Sequence, residues 1–363
     1  MINIKIFGGE KEIGGNKILL EFENSRIMLD FGLTFSQEKK YFSEFLRPRI
    51  LNGFIDWVEM GLLPSFEELP IYRKDFCGHI GIIPPKEKFL DGLLLSHAHS
   101  DHSALIHFLR EDIPIFCSKE TYLILKSIED TTQSILSDLV TLSLKFHFVH
   151  GREGYKKLIG EDAIVARNYQ IIEPYKKYQI NDVEFQAFPV DHSIPGAMAF
   201  IIYSDDGNIG YTGDLRFHGR RGNQTRKFVS KSKEDGLDVF LCEGTRIDEE
   251  NVETEEDVER KVEEVVERTD GLVVVNYPPR DLDRMLSFFN VAKRTGRKLV
   301  VNTRQAYLLK IFEEAGINGY PKLSDVVVYI EKKGWGFLGK EYFYHFEGIG
   351  WINSSKVDRK FLE

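Results

Sequence analysis

Four residues whose types could do chemistry fall within six positions: His97, His99, Asp101 and His102, in "LLLSHAHSDHSAL" at 93–105. The three leucines before them read as the end of a buried strand. Imidazoles and a carboxylate are costly to bury unless something pairs with them. A zinc ion is the most economical partner, because neutral imidazoles and carboxylates are its ordinary ligands. His97 and His99 lie two apart, so an extended backbone turns both side chains to one side, where they can share a metal. Asp101 and His102 fall at the turn into the next helix and can face a second metal alongside. The bland alternative, surface histidines on a loop, does not account for four ligand types just past a buried strand.

A zinc pair needs further ligands, and two later stretches supply them. "FPVDHSIPGA" at 188–197 puts His192 at a strand end beside Pro and Gly, and "YTGDLRFHG" at 211–219 puts Asp214 at the end of the next hairpin strand. A carboxylate in that place can bridge two metals. Singly, each has a structural reading, a capping histidine and a turn aspartate. Together, and all at strand ends, they define one edge of a sheet sandwich. "CGH" at 77–79 is a weaker metal candidate, since no second Cys/His pair stands at zinc-finger spacing.

The elements that must carry these residues read as follows. "INIKIF", "KILLEF" and "RIMLDF" form a meander of short strands, with turns at Gly8-Gly9, Gly14-Gly15 and "ENS". Residues 36–90 read as an irregular insertion, a lid or a satellite packing unit. "GLLLS" is a strand, "DHSALIHFLR" opens a helix, "IPIFCS" is a strand, and "KETYLILKSIEDTTQSIL" is a helix. Strands follow at "VEFQAFPV", "AMAFIIYS", "NIGYTG" and "LDVFLCEG". After Gly244 the texture changes. A helix at "TEEDVERKVEEVVERT" precedes the strand "GLVVVN", the helix "RDLDRMLSFFNVAKRTG" and the strand "KLVVNT"; the acidic segment around it, "DEENVETEEDVERKVEEVVE", turns Val252, Val258, Val262, Val265 and Val266 inward. The helix "RQAYLLKIFEEAG" and the strand "SDVVVYI" complete it. Such alternation implies βαβ units and a parallel sheet. The expected domains are 1–244 and 245–363.

Composition sets the outer bounds. A chain of 363 residues is about two domains. No apolar run approaches a membrane span and the N-terminus is not a signal peptide, so no membrane partner is expected. Three scattered cysteines suit a reducing cytoplasm. The net charge of −9 argues mildly against nucleic acid, yet residues 216–233 carry seven Lys/Arg and no acid, whereas 248–267 is strongly acidic. The acidic stretch reads as a solvated helix face. The basic one, with Arg216, Arg220, Arg221 and Arg226, follows directly on Asp214 and reads as a contact to nucleic-acid backbone phosphates.

"HAHSDH" resembles the His-x-His-x-Asp-His signature of the metallo-β-lactamase fold. "MLDFG", with Asp30, resembles its first motif, and His192 and Asp214 match its third and fourth, so the resemblance runs over residues 1–242. It implies an α/β fold, an αββα sandwich with a two-zinc site on one edge. "FLCEGTRID" at 240–248 resembles the first motif of the β-CASP nucleases, to which ribonuclease J belongs, with Glu243 as the acidic residue. The segment after it is similar to a partial α/β β-CASP cap domain.

The resemblance implies a zinc-dependent phosphodiesterase acting on RNA. His97, His99 and His192 would hold one zinc; Asp101, His102 and bridging Asp214 would hold the other. Asp30 would orient a ligand imidazole, and Asp101 and Glu243 would be the catalytic carboxylates. The family's return segment, a Ser-Gly-His-type motif and a last ligand, is not found, so the chain as given is expected to be catalytically incomplete, with weak binding at the second zinc. His345, in "YFYHFEG", is the only histidine after His218 and reads as packing. Three competing readings are a DNA nuclease of the same family with single-stranded DNA as partner, a small-molecule hydrolase, and a non-catalytic RNA-binding subunit. The sequence leaves a homo-oligomer open.

Overall fold

The structure is a computed structural model and describes residues 2–42, 54–131, 139–152, 154–248 and 253–329. Its first sheet opens with the meander β1 (Asn3–Gly8), β2 (Lys17–Glu21) and β3 (Arg26–Leu29), then adds β4 (Gly92–Leu94) and β5 (Ile115–Cys117) in parallel. A hairpin of β6 (Leu142–Gly151) and β7 (Gly154–Ala166) stands apart from it, and β8 (Tyr169–Ile171) closes the sheet beside β5. The second sheet is β9 (Lys177–Ile180), β10 (Val183–Pro189), β11 (Met198–Ser204) and β12 (Gly207–Tyr211), all antiparallel, with β13 (Val239–Leu241) parallel at its edge.

Period-two alternation decides which side chains meet between the sheets. Along β2, Ile18 and Leu20 join Ile27, Leu29 and Leu94 against Val183, Phe185, Phe200 and Ile209 of the second sheet. Leu19, Met28 and Leu93 point to the opposite face, onto a second core. Each fully buried leucine or phenylalanine there contributes roughly 1.5–3 kcal/mol. The short helix α4 (Ser100–Ser103) and the long α5 (Lys119–Thr131) lie on this side, while α6 (Gly222–Asp235) packs through Phe228 on the other sheet's outer face. The order of layers is the αββα sandwich that the motifs imply.

The segment 36–90 departs from the irregular insertion read from sequence. Its described part carries α1 (Phe35–Tyr41), α2 (Ile55–Glu59) and α3 (Lys74–Cys77), and it gives Phe54, Leu63, Leu69, Ile71, Tyr72 and Phe76 to the main core. Apolar residues spaced without a period fill that core from short turns, which periodicity does not reveal.

The described part of the last third holds α7 (Glu255–Glu267), α8 (Leu282–Arg294), β14 (Val300–Asn302), α9 (Thr303–Glu314) and β15 (Val327–Tyr329), with β14 and β15 parallel. "GLVVVN" forms no strand here: Leu272 and Val274 are exposed, and the segment has no ladder partner among the described residues. Within α7, Val266 is buried but Val265 is exposed, because a 3.6-residue period cannot place both neighbours inward; Val252 lies outside the described residues. This part shares a core with the sandwich, since Leu282, Leu309 and Phe312 belong to the same apolar cluster as Ile124 of α5. Tyr307 donates to Asp130 Oδ2 at 2.6 Å and Lys119 to the carbonyl of Ala315 at 2.6 Å across the same seam.

Candidate metal centre

The strand β4 delivers Ser96 and His97 at its end, and the chain then turns at His99 into α4. His97 Nε2 stands 3.1 Å from His99 Nδ1, which is also 3.1 Å from His192 Nε2. Asp214 turns Oδ1 to His102 Nε2 at 3.3 Å and Oδ2 to His97 and His192 at 3.9 and 3.7 Å. Among the described residues two groups have ligand atoms close enough to hold an ion: His97 with His99 and His192, and His97 with His102 and Asp214. His97 thus belongs to both, which spacing alone did not show. Asp101 joins neither. Its carboxylate lies beside Gly14, where an added Cβ would come 2.7 Å from Oδ2.

Asp30 organises the ligands from behind. Its carboxylate accepts from Ser96 N–H, Ser96 Oγ–H and His102 Nδ1, each at 2.7 Å, and from Tyr211 O–H at 2.5 Å. The residue holds a left-handed backbone, φ 53°, at the end of β3. Because Ser96 Oγ gives its proton to Asp30, it accepts from His97 Nδ1 at 2.9 Å. Both histidines therefore turn Nε2 to the cluster, a tautomer assignment that follows from the partners. Ser96 and Tyr211 escaped the sequence reading; their only signal is adjacency to His97 and to the Thr-Gly-Asp turn.

Two close approaches fix the loops. A Cβ on Gly32 would sit 1.6 Å from the carbonyl oxygen of Asp101, and one on Gly213 would sit 2.7 Å from Ser96 Cβ. Bare glycines let the Asp30 and Asp214 turns close on the His97–His102 loop. Lys17, 1% exposed, donates to the carbonyls of Gly15 at 2.8 Å and Gly32 at 3.0 Å, and burial lowers its pKa to about 8. Gly15 N–H in turn donates to Asp101 O at 3.0 Å.

The donor set fits a divalent metal. Burial, followed by neighbouring imidazoles, holds His97 well below the ordinary range. Burial and the nearby His102 lower His99 to about 4. Burial also lowers His192 to about 3, against the pull of Asp214. These three imidazoles are neutral at pH 7, as a metal requires. Burial works against ionisation of Asp214, but His102 and its neighbours outweigh it and bring the carboxyl to about 2. For His102 burial is outweighed by Asp30 and Asp214, which raise it.

The remaining candidates stand around this centre. Glu243 lies two residues past the end of β13, accepts from Thr245 N–H at 2.9 Å, and reaches Leu215 N–H, one residue past Asp214, at 3.4 Å. Of the four arginines read as phosphate contacts, three have carboxylate partners. Arg216 pairs with buried Asp191 at 3.2 Å, Arg220 with Glu259, and Arg221 with Asp283 at 2.7 Å. They tie the loop after Asp214 to α7 and α8. Arg226 is exposed, over the ring of Phe217. His345 and the side chain of His79 lie outside the described residues. No helix among the described residues is long and apolar enough to cross a membrane.

Similarity to known proteins agrees with this geometry. A ribonuclease J 2 of Streptococcus pyogenes is 25% identical over 314 residues, covering 84% of this chain and 46% of its own. A ribonuclease J of Mycobacterium tuberculosis is 26% identical over 307 residues, covering 82% and 44%. The chain therefore spans less than half the length of these curated relatives. A crystal structure of a protein of unknown function from Enterococcus faecalis shares the fold, with a TM-score of 0.66 and 23% identity over 93% of this chain and 72% of that one. The family described as "Beta-lactamase superfamily domain" matches residues 82–272, over half of the chain, and it is to this superfamily that the chain belongs.

Proposed function

We propose that this chain is a zinc-dependent phosphodiesterase that hydrolyses RNA in the cytoplasm. The observation that carries the reading is the pair of donor groups sharing His97 at the strand ends, neutral imidazoles on one side and an ionised Asp214 on the other. Similarity to ribonuclease J supports RNA as the substrate class. His97, His99 and His192 would hold one ion, and His102 with Asp214 the second. When bound, such a pair would lower the pKa of a water and neutralise charge on a phosphate. Asp30 keeps the His102 ring turned so that Nε2 faces inward. Asp101 sits beside the second group as an outer carboxylate. Glu243, at the rim beside Asp214, would receive or deliver a proton at the leaving oxygen. Residues 1–244 would form the metal-binding unit and the segment from 245 a cap over it.

The experiment has two arms. Zinc content is measured for the wild type and for H97A/H99A, and cleavage of labelled RNA, DNA and a chromogenic thioester is followed for both. Loss of most of the zinc and of RNA cleavage in the double variant is the expected result. Unchanged metal content overturns the ligand assignment, and turnover of the thioester alone overturns the substrate class.

A further inference from the structure

A cavity of about 490 Å3 lies away from the metal centre. It is lined by Lys74 and Asp75 of α3, by Glu111, and by Lys145, Phe146 and Phe148 of β6. The strands β3, β4 and β5 run parallel. Asp30 and His97 follow the C-terminal ends of β3 and β4, whereas Glu111 precedes the N-terminal end of β5, so the cavity stands at the opposite end of the sheet. Its size is that of a small-molecule site, roughly 300–1,000 Å3.

The charges there do not cancel. Buried Arg73 answers both acids: its Nε donates to Asp75 Oδ1 at 3.0 Å and stands 3.7 Å from Glu111 Oε1. Asp75 also accepts from Phe146 N–H at 3.4 Å, and Glu111 Oε1 from the hydroxyl of Ser143 at 3.0 Å. Lys74 and Lys145 are exposed, and neither forms an ion pair with a described residue. Asp75 and Glu111 against Arg73, Lys74 and Lys145 leave a surplus of positive charge, and the cations without a carboxylate are the two lysines. Such a cavity favours an anion over a cation. Phe146 and Phe148, with ring centroids 5.5 Å apart, add aromatic surface for the apolar body of that anion. Glu111 engages its described partners through Oε1, which leaves Oε2 to accept from an amino group.

We propose that this cavity is a second, non-catalytic nucleotide site, which takes the base against Phe148 and the phosphate at Lys74 and Lys145. The choice of a nucleotide over other planar anions rests on the phosphodiesterase reading above, since a chain that cuts RNA meets nucleotides both as strand and as product. The same chemistry therefore has two sources, a residue of an RNA strand and a free nucleoside monophosphate.

Equilibrium dialysis of labelled AMP against the full chain, with zinc and again with chelator, tests this without turnover. One saturable site should persist in chelator. K74Q/K145Q should weaken that site about tenfold, because it removes the charge-assisted bonds to the phosphate, while K74R/K145R retains it. Both lysines are exposed, so these variants keep the fold. F148L should weaken AMP binding and F148Y should not, and adenosine should compete poorly. No saturable AMP binding in chelator overturns the inference, as does equal AMP affinity in K74Q/K145Q and wild type, or adenosine binding as tightly as AMP. Anisotropy of a fluorescein-labelled decaadenylate then separates the sources. Loss of its binding in K74Q/K145Q assigns the cavity to a strand, and unchanged binding beside weakened AMP assigns it to the free nucleotide. AMP binding as expected together with no RNA cleavage by the wild type would leave this site standing and remove the hydrolytic reading instead.

Discussion

At the scale of the residue, the centre is a set of imidazoles kept neutral by burial, and that has a consequence for acid stability. A histidine whose folded pKa lies below its unfolded value of about 6.5 binds more protons when unfolded between the two values. Its stabilising contribution is full above about 6.5 and is lost as pH falls toward the folded value. His99, at about 4, and His192, at about 3, both act in this window. His102 acts in the opposite sense and only above about pH 6.5, because its folded value is raised. Metal-free protein should therefore lose roughly 2 kcal/mol for each of His99 and His192 between pH 6.5 and 5. Thermal unfolding in chelator at the two pH values measures this; a flat or rising Tm on acidification contradicts it. The ligand cluster was legible in sequence because its members sit two and three apart at a strand end. The sharing of His97 was not, since it depends on side-chain rotation that spacing does not encode.

At the scale of the element, α6–α8 are joined by charge as much as by apolar contact. Asp283, buried, faces Arg221 at 2.7 Å and Arg216 at 3.9 Å, while Glu255, also buried, takes Arg284 at 2.8 Å. Removing one member of such a network strands the others. D283A should cost roughly 3–5 kcal/mol, seen as a lower urea midpoint, whereas E264A on the exposed face of α7 should stay within about 0.5 kcal/mol. A D283A midpoint equal to wild type would show the pair to be solvated in solution. Here the sequence misled in an instructive way. A run of arginines free of acids in sequence met its acids in space, from Asp191 before it and from Glu259 of α7 and Asp283 of α8 after it. The strand "GLVVVN" failed for a related reason, because a strand exists only with a ladder partner and composition does not supply one. The β6–β7 hairpin was overlooked, although the alternation Leu144, Phe146, Phe148 carries its signal.

At the scale of the whole molecule, the layers of the sandwich followed from strand order, but the boundary near 245 divides less than the change of texture suggests. Phe312 and Leu309 of α9 pack into the cluster that also contains Ile124 and Leu125 of α5. F312A should cost about 3–5 kcal/mol. Because the core is shared, the loss should lower one cooperative transition, with far-UV dichroism and proteolytic resistance moving together. Two separate transitions would indicate that the segments from 1 and from 245 fold independently. The positions of α8 and α9 were legible from their 3.6-residue periods, but the seam with α5 was not, because pairing between distant helices is written in shape and not in pattern.

Gly32 has no side chain to do chemistry, yet the backbone of Asp101 lies where its Cβ would be. Even a methyl group there must push the His99–His102 turn outward. In a saturation library sorted for metal retention, position 32 should therefore be emptied of every residue but glycine, as completely as His97 itself. Substitutions at Asp101, whose carboxylate belongs to neither ligand group, should survive the same sort. The ranking of tolerance along this chain would then track room for the main chain before it tracks the identity of the metal's ligands.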